Sequence, residues 1–152
     1  MSDTPLTSRA LIFPEGLIGY PEWQHFELEP SLDDFPIAWL QGKDEEGVCF
    51  LVTVPTLVCP TFSVDVPAYV RAALRLGPEQ EPAMLCMLVI QPDPLTITAN
   101  LLGPIAYNPD NGLACQLVLA DSGYSARHPV VVPDSVATGS VVTGSAESGV
   151  TC

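Results

Sequence analysis

Prolines and glycines divide this chain into short apolar runs, and this division restricts the fold more than any other feature. The chain has 16 prolines and 11 glycines, spread along its length as punctuation. The runs between them have the length of strands rather than of helices. Short strands separated by frequent turn residues are typical of an all-β sandwich or barrel, in which most strands are antiparallel.

Three segments between turn residues predict strands. Residues 48–54 are apolar on both faces, which predicts a central, buried strand. Residues 83–90 are bounded by prolines and predict a second buried strand. Residues 62–66 alternate apolar and polar side chains, which predicts a half-buried strand. Shorter strands are predicted near residues 11–13, 26–29 and 37–41.

One short helix is predicted near residues 67–76. Pro67 suits a first helical turn, apolar residues recur at helical spacing, and Gly77 suits the left-handed C-terminal position. Arg71 and Arg75 lie one turn apart near the C-terminus, where cations oppose the helix dipole. We expect these arginines to pair with the acidic surface, with contact to a partner as the alternative.

The segment TITANLLGPIAYN, residues 96–108, contains an interrupted strand. A strand begins at Thr96, Gly103 and Pro104 turn the chain, and the strand resumes at Ile105. The Asn100 amide can hydrogen-bond backbone groups that the bend frees. A bulge or corner of this kind curls a small sheet toward closure, and it also leaves an edge open to a partner.

Two further turns are predicted from glycine-containing motifs. Asn111 and Gly112 suit the positive φ angles of a tight hairpin turn, whose return strand is expected over residues 113–120. Gly16 and Gly19 predict a bend that places Tyr20 and Trp23. The return strand has Leu113, Cys115, Leu117 and Leu119 on one face and Ala114, Gln116, Val118 and Ala120 on the other.

Composition divides the chain into three parts. We expect a flexible N-terminus over residues 1–10, one β domain over residues 11–132 and a disordered tail over residues 133–152. The tail has no aromatic residue and cannot bury enough surface to offset its ordering entropy. No signal peptide and no apolar run of about 20 residues is present, which predicts a cytoplasmic protein.

The chain is strongly acidic. Five Lys and Arg against 18 Asp and Glu give a formal net charge of −13. Nucleic acids and anionic membranes would be repelled, so we expect neither as a direct partner, whereas a basic protein would be attracted and steered. Plain solubility explains the acidity equally well. The carboxylates best placed to meet a basic partner lie beside predicted turns: Asp33, Asp34, Asp44, Glu45 and Glu46.

The sequence contains no motif for a cofactor, a metal or a catalytic site. It has no Cys-x-x-Cys pair and only two histidines, His25 and His128, which excludes a zinc pattern. Nothing in the sequence arranges two carboxylates across a cleft, as a glycosidase requires. One enzymatic alternative remains, a cysteine hydrolase that uses Cys115 or Cys49 with His128.

Four segments carry motifs of one known family, in the right order over about 120 residues. They are FPEGLIGYPEW, FPIAWLQG, TITANLLGPIAYN and CQLVLADSGYSARHPV. The matching positions are Phe13, Gly16, Leu17, Gly19 and Tyr20; Leu40 and Gln41; Asn100, Leu101, Gly103 and Pro104; and Tyr124, Arg127, His128 and Pro129. On these motifs the chain resembles the FliW family of flagellar assembly factors.

The resemblance implies a compact antiparallel β-barrel-like fold and a regulatory role without catalysis or a cofactor. It implies two cytoplasmic partners, flagellin and CsrA, a small RNA-binding protein that represses flagellin translation. Residues of the interrupted strand are then candidates for partner binding or for a structural family motif: Asn100, Leu101, Leu102 and Pro104. Gly16, Gly19, Asn111 and Gly112 are candidate structural turns. The alternative is a small-ligand-binding β-barrel whose pocket uses Tyr20, Trp23 and Trp39.

Overall fold

A computed structural model describes residues 7–31 and 37–130 of the chain. Asp33, Asp34 and the predicted tail, residues 133–152, lie outside the described residues. Within the described residues there are nine strands and two short helices. The strands are β1 (Arg9–Ile12), β2 (His25–Pro30), β3 (Ile37–Gly42), β4 (Cys49–Thr53), β5 (Ala83–Pro92), β6 (Leu95–Ala99), β7 (Ile105–Tyr107), β8 (Ala114–Gln116) and β9 (His128–Pro129); the helices are α1 (Pro55–Val58) and α2 (Ala68–Ala73).

The strands form one curled, antiparallel sheet. Strands β1 to β5 pair in sequence order, and the ten-residue β5 is long enough to pair with β6 along one half and with β7 along the other. β7 then pairs with β8, and a single parallel bridge joins Leu113, just before β8, to Ile12 at the end of β1. The predicted all-β, mostly antiparallel and barrel-like fold is confirmed.

Two sequence patterns identify the strands that form the core: alternating apolar and polar residues, and continuous apolar runs. In β2, Phe26 and Leu28 are buried while the acidic residues between and after them face outward, as a half-buried strand requires. β4 pairs with a strand on each side and is buried on both faces, so the central strand predicted over residues 48–54 is confirmed. Phe13 packs edge to face on Phe26, with ring centroids 5.3 Å apart, inside the main core cluster.

The predicted helix is present as α2, but it ends earlier than predicted. The left-handed residue is Arg75, with φ 59°, and not Gly77. The Leu76 N–H donates to the Arg71 carbonyl and the Arg75 N–H donates to the Ala72 carbonyl, both at 3.0 Å, which is the Schellman pattern. The prediction of a Gly77 cap is therefore wrong.

Arg71 stabilises this early helix end. Its guanidinium donates to the carbonyls of Gly77 at 2.7 Å and Gln80 at 2.8 Å, which ties the chain after α2 back to the helix. Neither Arg71 nor Arg75 forms an ion pair with a carboxylate of the described residues, so the expected pairing with the acidic surface is not observed there. The other helix, α1, was not predicted from the sequence. Among the described residues no helix is long and apolar enough to cross a membrane.

The strand predicted over residues 62–66 is wrong. Burial alternates there as the sequence pattern suggests, with Phe62 buried and Ser63 exposed, but the segment pairs with none of the strands that the structure describes. The Tyr124 hydroxyl instead accepts from the Ser63 N–H at 2.9 Å and donates to the Ser63 carbonyl at 3.2 Å. The Tyr124 side chain therefore makes the two backbone hydrogen bonds that a neighbouring strand would otherwise make with Ser63.

The β7–β8 hairpin is confirmed, but its predicted two-residue turn is wrong. The Asn108 N–H donates to the Leu113 carbonyl at 2.9 Å, so the loop spans residues 109–112. Only Gly112 in this loop has a positive φ, of 80°, and a Cβ there would lie 2.7 Å from the Ala10 carbonyl oxygen. Regular pairing of the return strand ends at Gln116 rather than at residue 120.

Candidate functional site

The strand interruption is a wide bulge that faces β5. Leu88 pairs with Ala99 and Leu85 pairs with Ile105, so two residues of β5 lie opposite residues 100–104. The Asn100 side-chain oxygen accepts from the N–H groups of Leu102 at 3.1 Å and Gly103 at 2.8 Å. This is the role that the sequence predicted for the Asn100 amide, and it replaces the ladder bonds that the bulge removes.

Most of the bulge is inaccessible to a partner. Leu101 is fully buried and Pro104 is buried, while Asn100 and Leu102 are partly buried. The Leu101 N–H donates to the Ser125 carbonyl at 3.0 Å, which fastens the bulge to the segment before β9. These contacts support a structural role for Asn100, Leu101 and Pro104.

Gln116 joins the bulge to the turn that the motif EGLIGYPEW forms. Its side-chain nitrogen donates to the Gly103 carbonyl, and its side-chain oxygen accepts from the Ile18 N–H, both at 3.0 Å. A Cβ on Gly103 would lie 3.2 Å from the side-chain nitrogens of both Asn100 and Gln116, so the close approach favours glycine. Gln116 therefore positions the turn against the end of β8.

The turn over residues 16–20 needs both of its glycines. Gly16 and Gly19 have φ angles of 73° and 87°, in the left-handed region. Leu17 and Tyr20 exchange backbone hydrogen bonds across the turn, which buries Leu17 and leaves the Ile18 side chain 52% exposed. The turn therefore presents an apolar side chain to solvent beside Gln116.

The backbone beyond β8 forms an open sheet edge. The Leu117 and Leu119 N–H groups donate to the carbonyls of Pro104 and Leu102, both at 2.8 Å, so the chain stays extended past Gln116. Alternate residues of an extended chain direct their backbone groups to opposite sides. The Val118 N–H and carbonyl therefore point away from β7, and no described group hydrogen-bonds to them.

A groove of about 550 Å³ runs beside this edge. We call it the edge groove and define it by Ile18, Asp65, Tyr69, Gln116, Val118 and Tyr124. Buried Val70 and Leu117 also line it, while Tyr69 is 76% and Val118 is 62% exposed. Large apolar side chains thus face solvent around an unpaired strand edge.

The acidic loop, Asp44, Glu45 and Glu46, connects β3 to β4 and is exposed. The Asp44 carboxylate accepts from the N–H groups of His25 at 2.8 Å and Gln24 at 2.7 Å, and the His25 ring nitrogen lies 3.0 Å away. The backbone hydrogen bond from His25, then that from Gln24, lowers the Asp44 pKa. Asp44 therefore holds the loop against the start of β2.

The rest of the acidic loop faces outward. Glu45 accepts from the Trp23 indole N–H at 2.9 Å, and Trp23 stacks on Tyr20 with ring centroids 4.1 Å apart. No described hydrogen bond or ion pair involves Glu46. Glu45 and Glu46 thus remain exposed, whereas Asp44 is engaged with the backbone at the start of β2.

The three aromatics proposed for a ligand pocket do not share one. Exposed Tyr20 stacks on part-buried Trp23, which packs against the main core cluster beside the acidic loop, whereas Trp39 packs against a different core cluster. None of the three lines the edge groove or a second cavity of about 570 Å³ beside β5. The geometry gives no support to the small-ligand alternative.

The residues named for a cysteine hydrolase are poorly suited to that chemistry. Burial, reinforced by the nearby Glu15 carboxylate, raises the pKa of the Cys115 thiol, which disfavours the nucleophilic thiolate. The His128 Nε2 atom lies 3.3 Å from the Val58 carbonyl oxygen, which can only accept, so this nitrogen is the donor in the contact. The described residues also contain no cluster of potential metal ligands.

Sequence reasoning missed the side chains that surround the open edge. Ile18 and Tyr69 come from separate segments, and no local pattern indicates that they approach Val118. One usable signal existed, because the strand pattern already put Gln116 and Val118 together on the second face of residues 113–120.

Comparison with known proteins gives consistent matches along the described domain. The family model for the FliW protein matches residues 5–130. The flagellar assembly factor FliW of Syntrophotalea carbinolica is 32% identical over 120 residues, which cover 79% of this chain and 85% of the relative. That of Geobacter sulfurreducens is 33% identical, covering 80% of this chain and 76% of the relative, and that of Bacillus subtilis is 30% identical, covering 79% and 84%.

The fold agrees with a solved structure. A crystal structure of the flagellar assembly factor FliW superposes with a TM-score of 0.74 at 26% sequence identity. The superposition covers 82% of this chain and 87% of the solved chain. The bulge, the edge groove and the acidic loop all lie within residues 5–130, which the family model matches.

Proposed function

This chain belongs to the FliW family of flagellar assembly factors, and on that premise we propose that it binds flagellin in the cytoplasm and antagonises the translational repressor CsrA. In this proposal flagellin occupies the protein until it is exported. The freed protein then binds CsrA away from its RNA-binding surface and releases the flagellin message. Flagellin synthesis would thereby follow flagellum assembly.

One observation carries the proposal: the chain matches proteins named as flagellar assembly factors over about four fifths of its length, in both sequence and fold. Those names describe assembly rather than catalysis, and a role in binding accords with the poor fit of Cys115 and His128 to a catalytic pair. Assembly factors act through protein surfaces, and this chain offers two, the edge groove and the acidic loop.

Charge supports a basic protein partner. The net charge of −13 speeds the capture of a basic protein by electrostatic steering, even where each surface ion pair adds little affinity. The same charge repels RNA, so the proposed release of the message requires binding to the repressor and not to the RNA. We assign this encounter to the acidic loop, where Glu45 and Glu46 face solvent.

The proposal is tested by mixing the purified protein with the flagellin and the CsrA of its host on a sizing column. We expect a complex with each partner. Co-elution with neither partner would refute the proposed function, and co-elution with one alone would refute the coupling of the two.

A charge-reversal experiment tests the acidic loop. The double variant Glu45→Lys/Glu46→Lys should slow association with CsrA by about threefold to tenfold at low ionic strength and should flatten its salt dependence. The double variant Glu79→Lys/Glu81→Lys changes the net charge equally at exposed positions outside the loop and serves as the matched control. Equal slowing in both variants would mean that net charge, and not the acidic loop, directs the encounter.

A further inference from the structure

The open edge at Val118 has the geometry that accepts an added strand. The extended chain continues past β8, its odd-numbered residues bond toward the bulge, and the Val118 backbone groups face outward. Near the start of β8 the same side of the chain is already occupied by other segments of the protein. The Ile12 N–H donates to the Gly112 carbonyl at 2.8 Å, and the Gln116 side chain accepts from the Ile18 N–H. An unpaired edge next to a groove is the usual acceptor for an extended peptide.

The side chains around the edge indicate an apolar occupant. Ile18, Tyr69 and Val118 are each more than half exposed and line the same groove, although they come from three separate segments. Exposed apolar side chains that are gathered beside a groove mark a binding surface more often than scattered ones do. Alternate side chains of an added strand would point toward this apolar lining.

The charge around the groove indicates that the occupant carries a cation. Asp65 lines the groove, and Glu15 lies close enough to Cys115, another lining residue, to act on its thiol. None of the lining residues is a lysine or an arginine. A lysine or arginine in the bound segment would therefore meet carboxylates and no opposing cation.

We propose that one extended, apolar segment of flagellin, bearing a lysine or an arginine, adds as a strand to the open edge at Val118 and fills the edge groove. This inference rests on the proposed function, from which it takes the identity of the partner. The basic repressor is assigned to the acidic loop and flagellin to the edge groove. The two partners would exclude each other at the turn over residues 16–20, because Ile18 lines the groove while Tyr20 stacks on Trp23, which donates to Glu45.

Substitutions at Val118 test the strand addition. Val118→Pro removes the outward N–H, and Val118→Lys replaces an apolar side chain with a cation that would repel the basic residue of the segment. Each should weaken flagellin binding by about tenfold or more, as expected for lost strand hydrogen bonds and apolar contact. Val89→Lys makes the same change at another exposed strand valine outside the groove and should bind flagellin normally.

The binding outcomes separate the two claims. If the wild-type protein fails to bind flagellin, both the proposed function and the strand addition are overturned. If the wild-type protein and both Val118 variants bind equally, the strand addition alone is overturned, and the same holds if Val89→Lys loses as much affinity. Should Val118→Pro fail to fold, Val118→Lys decides, because the Val118 side chain is 62% exposed and tolerates the change.

Synthetic peptides locate the segment directly. Overlapping 15-residue peptides that span flagellin would be titrated into the isotope-labelled protein. A peptide with alternating apolar residues and a lysine or arginine should shift the amide signals of Val118 and Tyr69. If no peptide binds, or if the bound peptide shifts only amide signals on other surfaces, strand addition at Val118 is refuted.

Discussion

Replacing Asn100 by alanine should destabilise the protein markedly, because one side-chain oxygen serves two backbone donors. The Leu102 and Gly103 N–H groups, at 3.1 and 2.8 Å, lie in a part-buried bulge where water cannot fully replace the lost acceptor. Each donor left without a partner costs about 1 to 1.5 kcal/mol, so Asn100→Ala should lower the free energy of unfolding by about 2 to 3 kcal/mol. At about 4 °C per kcal/mol for a domain of this size, the melting temperature should fall by about 10 °C.

Urea unfolding followed by tryptophan fluorescence measures this loss. The midpoint should move while the slope m stays constant, which would show that stability and not the unfolded state has changed. Asn111→Ala is the matched control, because among the described contacts the Asn111 side-chain oxygen accepts one backbone N–H, that of Leu113, in an exposed contact, and its amide donates only a long hydrogen bond of 3.3 Å to the Leu74 carbonyl. If Asn100→Ala unfolds within about 0.5 kcal/mol of the wild-type protein, or no more easily than Asn111→Ala, this explanation of the bulge is wrong.

Three further predictions concern the turns, the acidic loop and the cysteines. In urea unfolding, Gly16→Ala should destabilise the protein far more than Gly19→Ala. A Cβ at Gly16 would lie 2.5 Å from backbone atoms of Pro21, whereas a Cβ at Gly19 would have no atom within 4 Å. Gly19→Ala therefore costs only the roughly 1 kcal/mol of a left-handed φ. The folded-state pKa of Asp44 is lowered, so its contribution to stability is present above the unfolded pKa near 3.8 and is lost as the pH falls through the folded pKa. The melting temperature of Asp44→Asn should therefore depend less on pH in that range than the melting temperature of the wild-type protein does. Burial raises the pKa of Cys86 to about 12, so its thiol should resist alkylation. Iodoacetamide at pH 8 should label partly exposed Cys59 and leave Cys86 unmodified until the protein unfolds. Labelling of Cys86 in the native protein would contradict this packing.

The sequence predicted those parts of the fold that depend on local patterns. Continuous apolarity located β4 and β5, but only β4 is buried on both faces; β5 is buried in part, and its Val89 is exposed. Gly103 and Pro104 located the interruption between β6 and β7, and Asn100 supplied a side chain of the right kind for a bulge. The fold class followed from these elements and from the frequent turn residues.

The errors arose where a distant group replaced a local one. Alternation over residues 62–66 predicted which side chains are buried, but it could not show that the Tyr124 hydroxyl, 61 residues away, satisfies the Ser63 backbone in place of a strand. The rule for helix ends favoured Gly77, yet the left-handed residue is Arg75, and the Arg71 side chain holds the chain beyond it by donating to the Gly77 and Gln80 carbonyls.

The candidate site was the least predictable part. The acidic loop was identified from its charge, but the hydrogen bonds that make Asp44 a structural residue depend on the register between β2 and β3. The edge groove depends on three segments that meet only in the folded chain, so Ile18 and Tyr69 have no sequence signal of their own. Charge can be predicted from composition, whereas the convergence of side chains on one edge requires the fold.

A competition on the flagellin leader RNA bound to CsrA of the same host shows whether flagellin and CsrA exchange on this protein. A gel-shift titration would add this protein to the preformed complex and then add flagellin. The protein should free the RNA, and an equimolar amount of flagellin should restore the bound RNA. RNA that stays bound at a large excess of the protein, or release that flagellin does not reverse, would refute the proposed exchange of partners.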